Sequence, residues 1–353
     1  MKFTIMSVCA VIALPALAGC AVSGSEAAGP PDHTSAKDRQ VVLVTHDSWA
    51  VPPSVLADFT KTTGYQVKVQ ASGDAGQLAN SLVLTKGDPT GDVTFGIDNT
   101  FASRVADSGA LQAYSPPLPA GAATYALSGA PAAMLTPIDY SDVCVNVDDA
   151  WFAKHHRTAP SSMTDLTSPA YKGLFVSPGA ATSSPGLAFL LASIAKYGQG
   201  GWQGYWKKLM ANGAKLTSGW SDAWGVDYTA GGGKGDRPIV LSYNTSPADT
   251  VTAGKSTTSA LMDSCFQEQE YAGVLKGARN TAGAQAFIRF MLGRTFQTSM
   301  PGSMYVFPVD RGAAVPADWK SFVKTPSKPL SLPASQISAQ RDRWISQWQD
   351  VTS

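Results

Sequence analysis

Histidine is scarce in this chain, with four in 353 residues, and neither an H-E-x-x-H pair nor a zinc-type Cys/His spacing occurs. Zinc chemistry therefore has no visible ligand set. Charge is equally thin: Asp, Glu, Lys and Arg make up 15% of the residues, and the formal net charge is +1. With no basic surplus and no acidic run, the chain lacks the signatures of nucleic-acid binding and of a disordered acidic tail. The run Gly231-Gly232-Gly233-Lys234-Gly235 precedes an apolar strand-like segment and does not open a helix, so it is a turn and not a phosphate-binding loop. Gly219-Trp220-Ser221-Asp222-Ala223 falls one residue short of a G-x-S-x-G nucleophile elbow and has no evident histidine partner.

Apolar content is ample. Hydrophobic residues form 44% of the chain, enough for a full core in each of two lobes. The opening stretch, MKFTIMSVCAVIALPALAGC, holds a short apolar run closed by small residues, the pattern of an export signal. Leu17-Ala18-Gly19-Cys20 resembles a bacterial lipobox, in which the cysteine thiol is diacylated before cleavage. Residues 1–19 are thus expected to be a signal, and 20–39, rich in Ala, Gly, Ser and Pro, a flexible tether. Lipid on Cys20 would anchor the domain to the outer face of the cytoplasmic membrane. Cys9 leaves with the signal, so Cys144 and Cys265 remain in an oxidising compartment. A disulfide between two strand-like segments is predicted; a pair of buried free thiols is the alternative.

Periodicity gives the first part of the chain an α/β character. Val41 to Thr45 reads as a buried strand, Pro52 to Thr63 as a helix, Tyr65 to Gln70 as a strand, Gln77 to Lys86 as a helix and Asp92 to Gly96 as a strand. This β-α-β-α-β order predicts a parallel sheet, with Asp47 and Asp98 just beyond strand ends at one crevice edge. Asp98 reads equally as a cap for a helix over Thr100 to Ser108. Pro116 to Pro137 has no clear period and passes into a strand over Val143 to Val147, the expected crossing between lobes. Ser184 is the expected N-cap of a helix running from Gly186 to a stop at Gly198. Its amino end suits an anion, although ordinary capping is the preferred reading of Ser183 and Ser184. Later come helices over Asn280 to Leu292 and Arg294 to Ser299, an extended aromatic segment over Met300 to Val309, and a helix over Ala334 to Val351 whose Trp344 and Trp348 face the core.

The stretch from Lys215 to Asp249 stands out for pocket chemistry. Trp220, Trp224 and Tyr243 alternate with Ser221, Asp222, Ser246 and Asp249 around a glycine turn and a strand over Ile239 to Tyr243. Aromatic faces attract ring systems and cations, while hydroxyls and carboxylates fix orientation. Taken singly, each ring reads equally well as core.

Segments spread along the chain carry a more specific likeness: THDSW (45–49), FGIDNT (95–100), PIDYSDV (137–143), TSSPGLAFLL (182–191), TSGWSDAWG (217–225), VLSYNTSPA (240–248), MPGSMYVFPV (300–309) and AQRDRWISQWQ (339–349). In these segments the chain resembles the thiamine-binding periplasmic protein family, extracellular solute-binding proteins of ABC importers. That resemblance implies a two-lobed, type II periplasmic-binding-protein fold with the ligand cleft between the lobes. The expected lobes are 40–138 with 250–304, and 139–249 with 305–353. It further implies a monomer that holds thiamine or its phosphates, uses no cofactor, catalyses no reaction and delivers its ligand to a membrane permease. The candidate contacts are Asp47, Trp49, Asp98, Asn99, Asp139, Ser183, Ser184, Trp220, Tyr243, Ser246, Asp249 and Tyr305. The chain departs from the family at His46 and Asp249, where the family has tyrosines, and at Tyr305, where it has a tryptophan.

The rival readings are a ferric-iron carrier, disfavoured because Tyr243 is followed by Asn244 and not by a second tyrosine, and a tethered hydrolase using Ser221 or Ser246 with His46. A surface adhesion module would have no use for an aromatic crevice.

Overall fold

The computed structural model describes residues 39–353. The expected signal and the expected acylation site at Cys20 lie outside the described residues, as does all of the tether except residue 39.

Strand β1 (Gln40–Thr45) is followed by helix α1 (Pro53–Thr63), strand β2 (Gln66–Ala71), helix α2 (Ala75–Leu84) and strand β3 (Val93–Asp98). Pro53 at the first helical position favours the start of α1, and Gly64, at φ 76°, ends it in the left-handed conformation. Asp74 and Gln77 close a capping box at α2, so that helix begins ahead of the expected Gln77. Helix α3 (Ala102–Asp107) and strand β4 (Leu111–Gln112) lead to β5 (Thr136–Asp148), which extends well beyond the expected Val143–Val147.

Helix α4 (Asp149–Lys154) and strand β6 (Phe175–Pro178) precede α5 (Ser184–Ala211). Ser183, not Ser184, caps α5: the Gly186 N–H points at the Ser183 hydroxyl oxygen at 3.4 Å. Pro185 then occupies the first turn. Gly198, at φ 70°, breaks the helix as its sequence position suggests, but a second helical run continues to Ala211. A Cβ on Gly186 would lie 2.5 Å from the Gly179 carbonyl oxygen, so only glycine lets the α5 amino end rest on that backbone.

Strand β7 (Lys215–Thr217) runs into a single helical turn, α6 (Trp220–Asp222), and a π-turn over Ala223–Asp227. Then follow β8 (Ile239–Tyr243), the hairpin strands β9 (Val251–Thr252) and β10 (Lys255–Ser256), and the long β11 (Thr258–Leu275). Helix α7 (Thr281–Met291) is followed by α8 (Arg294–Met304), which takes up residues 300–304 that were expected to be extended. Burial of Phe296 and Met300 in the core holds that extra turn, and Tyr305 ends it at φ 53°. Strand β12 (Phe307–Pro308), α9 (Trp319–Phe322) and α10 (Ala334–Thr352) complete the chain.

The main sheet runs β2-β1-β3-β11-β5-β8-β6-β7. At one end β1 pairs in parallel with β2 and β3, and at the other β6 pairs in parallel with β7 and β8. Between them β11 and β5 are antiparallel to each other and to their outer neighbours. Two parallel α/β halves are thus joined through a pair of long strands, the two-lobed type II arrangement. Cys144 of β5 and Cys265 of β11 form the predicted disulfide. It sits where the ladder skips from Leu261 to Phe266, and the Ser264 hydroxyl accepts the Val145 N–H at 2.9 Å inside that bulge.

One core cluster interlocks Phe59, Phe95, Phe287 and Phe296. Trp49 packs edge-on to Phe95, with ring centres 5.4 Å apart. A second cluster is built around α5, where Trp206 meets Trp348 edge-on at 5.6 Å. Trp344 and Trp348 are buried, as their period predicts. Among the described residues no helix is long and apolar enough to cross a membrane.

Candidate functional site

Segments that follow several strands converge on a cavity of about 370 Å³. His46 and Ser48 follow β1, Ser184 and Pro185 open α5, and Trp220 and Trp224 lie on the turns after β7. Tyr243, Ser246 and Asp249 end and follow β8, Glu270 comes from β11, and Tyr305 from the end of α8.

The aromatic wall is ordered by hydrogen bonds beneath it. Trp220 and Trp224 stack with ring centres 5.7 Å apart and planes 16° from parallel, and Tyr243 lies tilted at 6.2 Å from Trp220. The Trp220 indole N–H donates to the Ser242 hydroxyl at 2.9 Å, and that hydroxyl is 2.8 Å from Ser246 Oγ. Ser246 also accepts the Tyr243 N–H at 3.1 Å, so it sets both rings as well as lining the space. Tyr305 stacks on Trp319 with planes 8° apart. Burial, and then its hydrogen bond to the Asp249 carboxylate, push the Tyr305 phenol up to about 12.

Asp74 is the organising carboxylate. It accepts the N–H groups of Ala75 at 2.6 Å, Trp220 at 2.7 Å and Ser184 at 3.3 Å, so one side chain joins the amino ends of α2, α6 and α5. Burial raises its pKa, while the Trp220 N–H, the Ser183 hydroxyl, the Ala75 N–H and the nearby His46 draw it back.

A row of acids runs from Glu270 in the cavity wall to Asp98, Asp139 and Glu268, which are buried. In register, Glu270 of β11 stands opposite Asp98 of β3 on one side and Asp139 of β5 on the other, with Glu268 two residues along. Desolvation is the leading cause raising the pKa values of Asp98, Asp139 and Glu268; neighbouring carboxylates add to it for Asp139 and Glu268. Glu268 meets the Ser184 hydroxyl. Glu270 instead faces His46, with Nε2 3.3 Å from Oε1. Burial alone would discharge that imidazole, but Glu270, Asp74 and Asp47 outweigh it and raise the His46 pKa above 6.5. A Cβ on Gly96 would stand 2.1 Å from the imidazole, so this glycine makes room for the ring.

Of the candidate contacts, Ser184, Trp220, Tyr243, Ser246, Asp249 and Tyr305 line the cavity. The others lie outside its wall. Asp47 accepts the Ser221 hydroxyl at 3.1 Å. Trp49 belongs to the aromatic core, and Ser183 caps α5. Asp98 accepts the Thr100 hydroxyl at 2.7 Å and the Phe101 N–H at 3.0 Å, bonds that brace the turn before α3; Phe101 is the N-cap of α3 and no side chain caps it, so the helix-cap role read for Asp98 is not met. Asn99 donates to the Gln267 carbonyl and accepts the Gln269 N–H, extending the ladder. Asp139 is buried beneath the site.

Sequence reasoning missed Asp74 and Glu270 as wall residues. The D-x-x-Q spacing of Asp74 and Gln77 could have flagged the first as a cap, but its reach to Trp220 and Ser184 is purely tertiary.

Neither Ser221 nor Ser246 hydrogen-bonds to His46. The ring's Nδ1 is 2.8 Å from the Ser48 hydroxyl. The same imidazole faces Glu270 through Nε2, and that carboxylate raises its pKa against the opposing effect of burial. Among the described residues no group of three or more His, Cys, Asp or Glu side chains is arranged to hold a metal ion. The Asn244 side chain is turned away to Ser141 and to the Lys324 carbonyl.

Residues 88–328 match the model of the bacterial extracellular solute-binding protein family. The chain is 29% identical over 322 residues to the thiamine-binding periplasmic protein of Salmonella typhimurium, covering 89% of this chain and 93% of that one. Its counterpart in Escherichia coli is likewise 29% identical over 329 residues, with the same coverage. Among solved structures, a periplasmic thiamin binding protein superposes with a TM-score of 0.78 at 26% identity, covering 89% of this chain and 96% of that one. Iron-bound HitA from Pseudomonas aeruginosa shares the fold, with a TM-score of 0.69 at 21% identity over 89% of this chain and 99% of its own.

Proposed function

Since this chain belongs to the bacterial extracellular solute-binding protein family, we propose that it captures thiamine or its phosphates outside the cell and hands them unaltered to the permease of an ABC importer. One observation carries this reading: Trp220, Trp224, Tyr243 and Tyr305 share a single cavity wall with the carboxylates of Asp74, Asp249 and Glu270. Thiamine joins an aminopyrimidine to a cationic thiazolium. Flat rings suit its faces, and carboxylates suit its charge and amino group. The solved and curated thiamine binders similar to this chain point the same way.

In this reading one lobe comprises 40–138 and 250–304 and the other 139–249 and 305–353. They close about β5 and β11, whose long antiparallel ladder is the natural hinge. Acylated Cys20 keeps the monomer at the membrane, next to the permease. Ferric iron fits less well. Burial, reinforced by Glu268 and Glu270, raises the Tyr243 phenol well above its ordinary value and opposes the phenolate that a hard cation requires.

Isothermal calorimetry with thiamine tests the proposal. Saturable 1:1 binding is expected, and folded protein that gives no heat with thiamine or its phosphates would refute it.

A further inference from the structure

We propose that Asp249 is the counter-ion of this cavity and that the ligand form it selects is the unphosphorylated, singly cationic heterocycle. This rests on the thiamine reading and narrows it.

The inference follows from the charges in the wall. Asp74 is engaged by three backbone N–H groups, those of Ala75, Trp220 and Ser184. These are the donors that the amino ends of α2, α6 and α5 would otherwise offer a phosphate, and the protein's own carboxylate already occupies them. Glu270 is matched by His46 at 3.3 Å, the pair lying below the ring wall. Asp249 differs. It is exposed at the mouth and meets the Tyr305 hydroxyl, a neutral donor that leaves its negative charge uncompensated. Among the described residues no lysine or arginine lines the cavity. Asp249 is therefore the one wall carboxylate held neither by a set of backbone donors nor by His46, and it stands beside aromatic faces.

A thiazolium ring against Tyr305 would bring its positive charge to Asp249. A phosphate ester would add about two negative charges near neutral pH. It would meet Asp249 and Asp74 with no cationic side chain to receive it and with the helix-end donors already taken.

Calorimetry on the wild-type protein and on Asp249→Asn, each with thiamine, thiamine monophosphate and the neutral pyrimidine half of the vitamin, tests this. Because Asp249 is exposed and its side chain is not built into the core, the variant should fold. Wild type should bind thiamine at least about tenfold more tightly than the monophosphate. Asp249→Asn should weaken thiamine by about tenfold, narrow the gap to the monophosphate, and leave the neutral pyrimidine within about twofold. Equal affinity of the wild type for thiamine and its monophosphate would overturn this inference while sparing the thiamine reading. So would a variant that loses thiamine and the neutral pyrimidine alike, or one that loses neither. Absence of binding by all three ligands would remove both.

Discussion

Replacing Asp74 with alanine probes the architecture of the site most directly. Its carboxylate is the N-cap of α2 and accepts N–H groups from the starts of α5 and α6. Loss of the cap costs about 1 kcal/mol. The Trp220 and Ser184 N–H groups would then lack an acceptor, at about 1–2 kcal/mol each in this partly buried position. The sum, about 3–5 kcal/mol, is at the upper end of single-substitution effects. For a domain of this size it should lower the melting temperature by roughly 5–8 °C. Asp74→Asn keeps one acceptor oxygen and should lose about half as much. Because Trp220 hangs on this carboxylate, ring order should fall with stability. Thermal unfolding followed by tryptophan fluorescence, with near-ultraviolet circular dichroism for the ring packing, reads both effects. An alanine variant within about 1 kcal/mol of wild type and with unchanged aromatic dichroism would refute the view that Asp74 ties the three helix starts together.

Burial raises the Asp142 pKa from 3.8 to about 6. The folded value lies above the unfolded one, so the stability tied to the protonated form is complete below about 3.8 and lost as pH rises through about 6. Asp142→Asn should therefore gain on wild type by about 2 kcal/mol between roughly pH 4.5 and 8; chemical denaturation at both pH values showing a constant difference would contradict this. Cys144 and Cys265 are separated by 121 positions, so their bond removes much denatured-state freedom. A Cys144→Ala, Cys265→Ala double variant should lose about 2–5 kcal/mol, and identical urea midpoints for the two proteins would show that the bridge adds no stability.

Short-range pattern determined a good deal of this protein. Short, largely apolar runs placed β1, β3 and β8, alternation placed β2, helical spacing placed α1, α7 and α10, and the buried Trp344 and Trp348 were legible because one face of α10 repeats with the helix. The family likeness was also in the sequence, carried by eight ordered segments. So was the pairing of Cys144 with Cys265, once export left them as partners. Boundaries decided by packing were less legible. Helix α8 runs to Met304 because Phe296 and Met300 are buried in the core. The composition of the site was decided at longer range still. Asp98 reads the same locally whether it caps a helix or faces a ligand, and only the folded chain shows its carboxylate bracing the turn before α3 through Thr100 and Phe101. Asp74 and Glu270 entered the wall through contacts between segments far apart in the chain, as in the 146 positions between Asp74 and Trp220. Secondary structure follows from neighbours a few residues away, whereas a binding wall depends on which strand ends the sheet order brings side by side, and no local period encodes that.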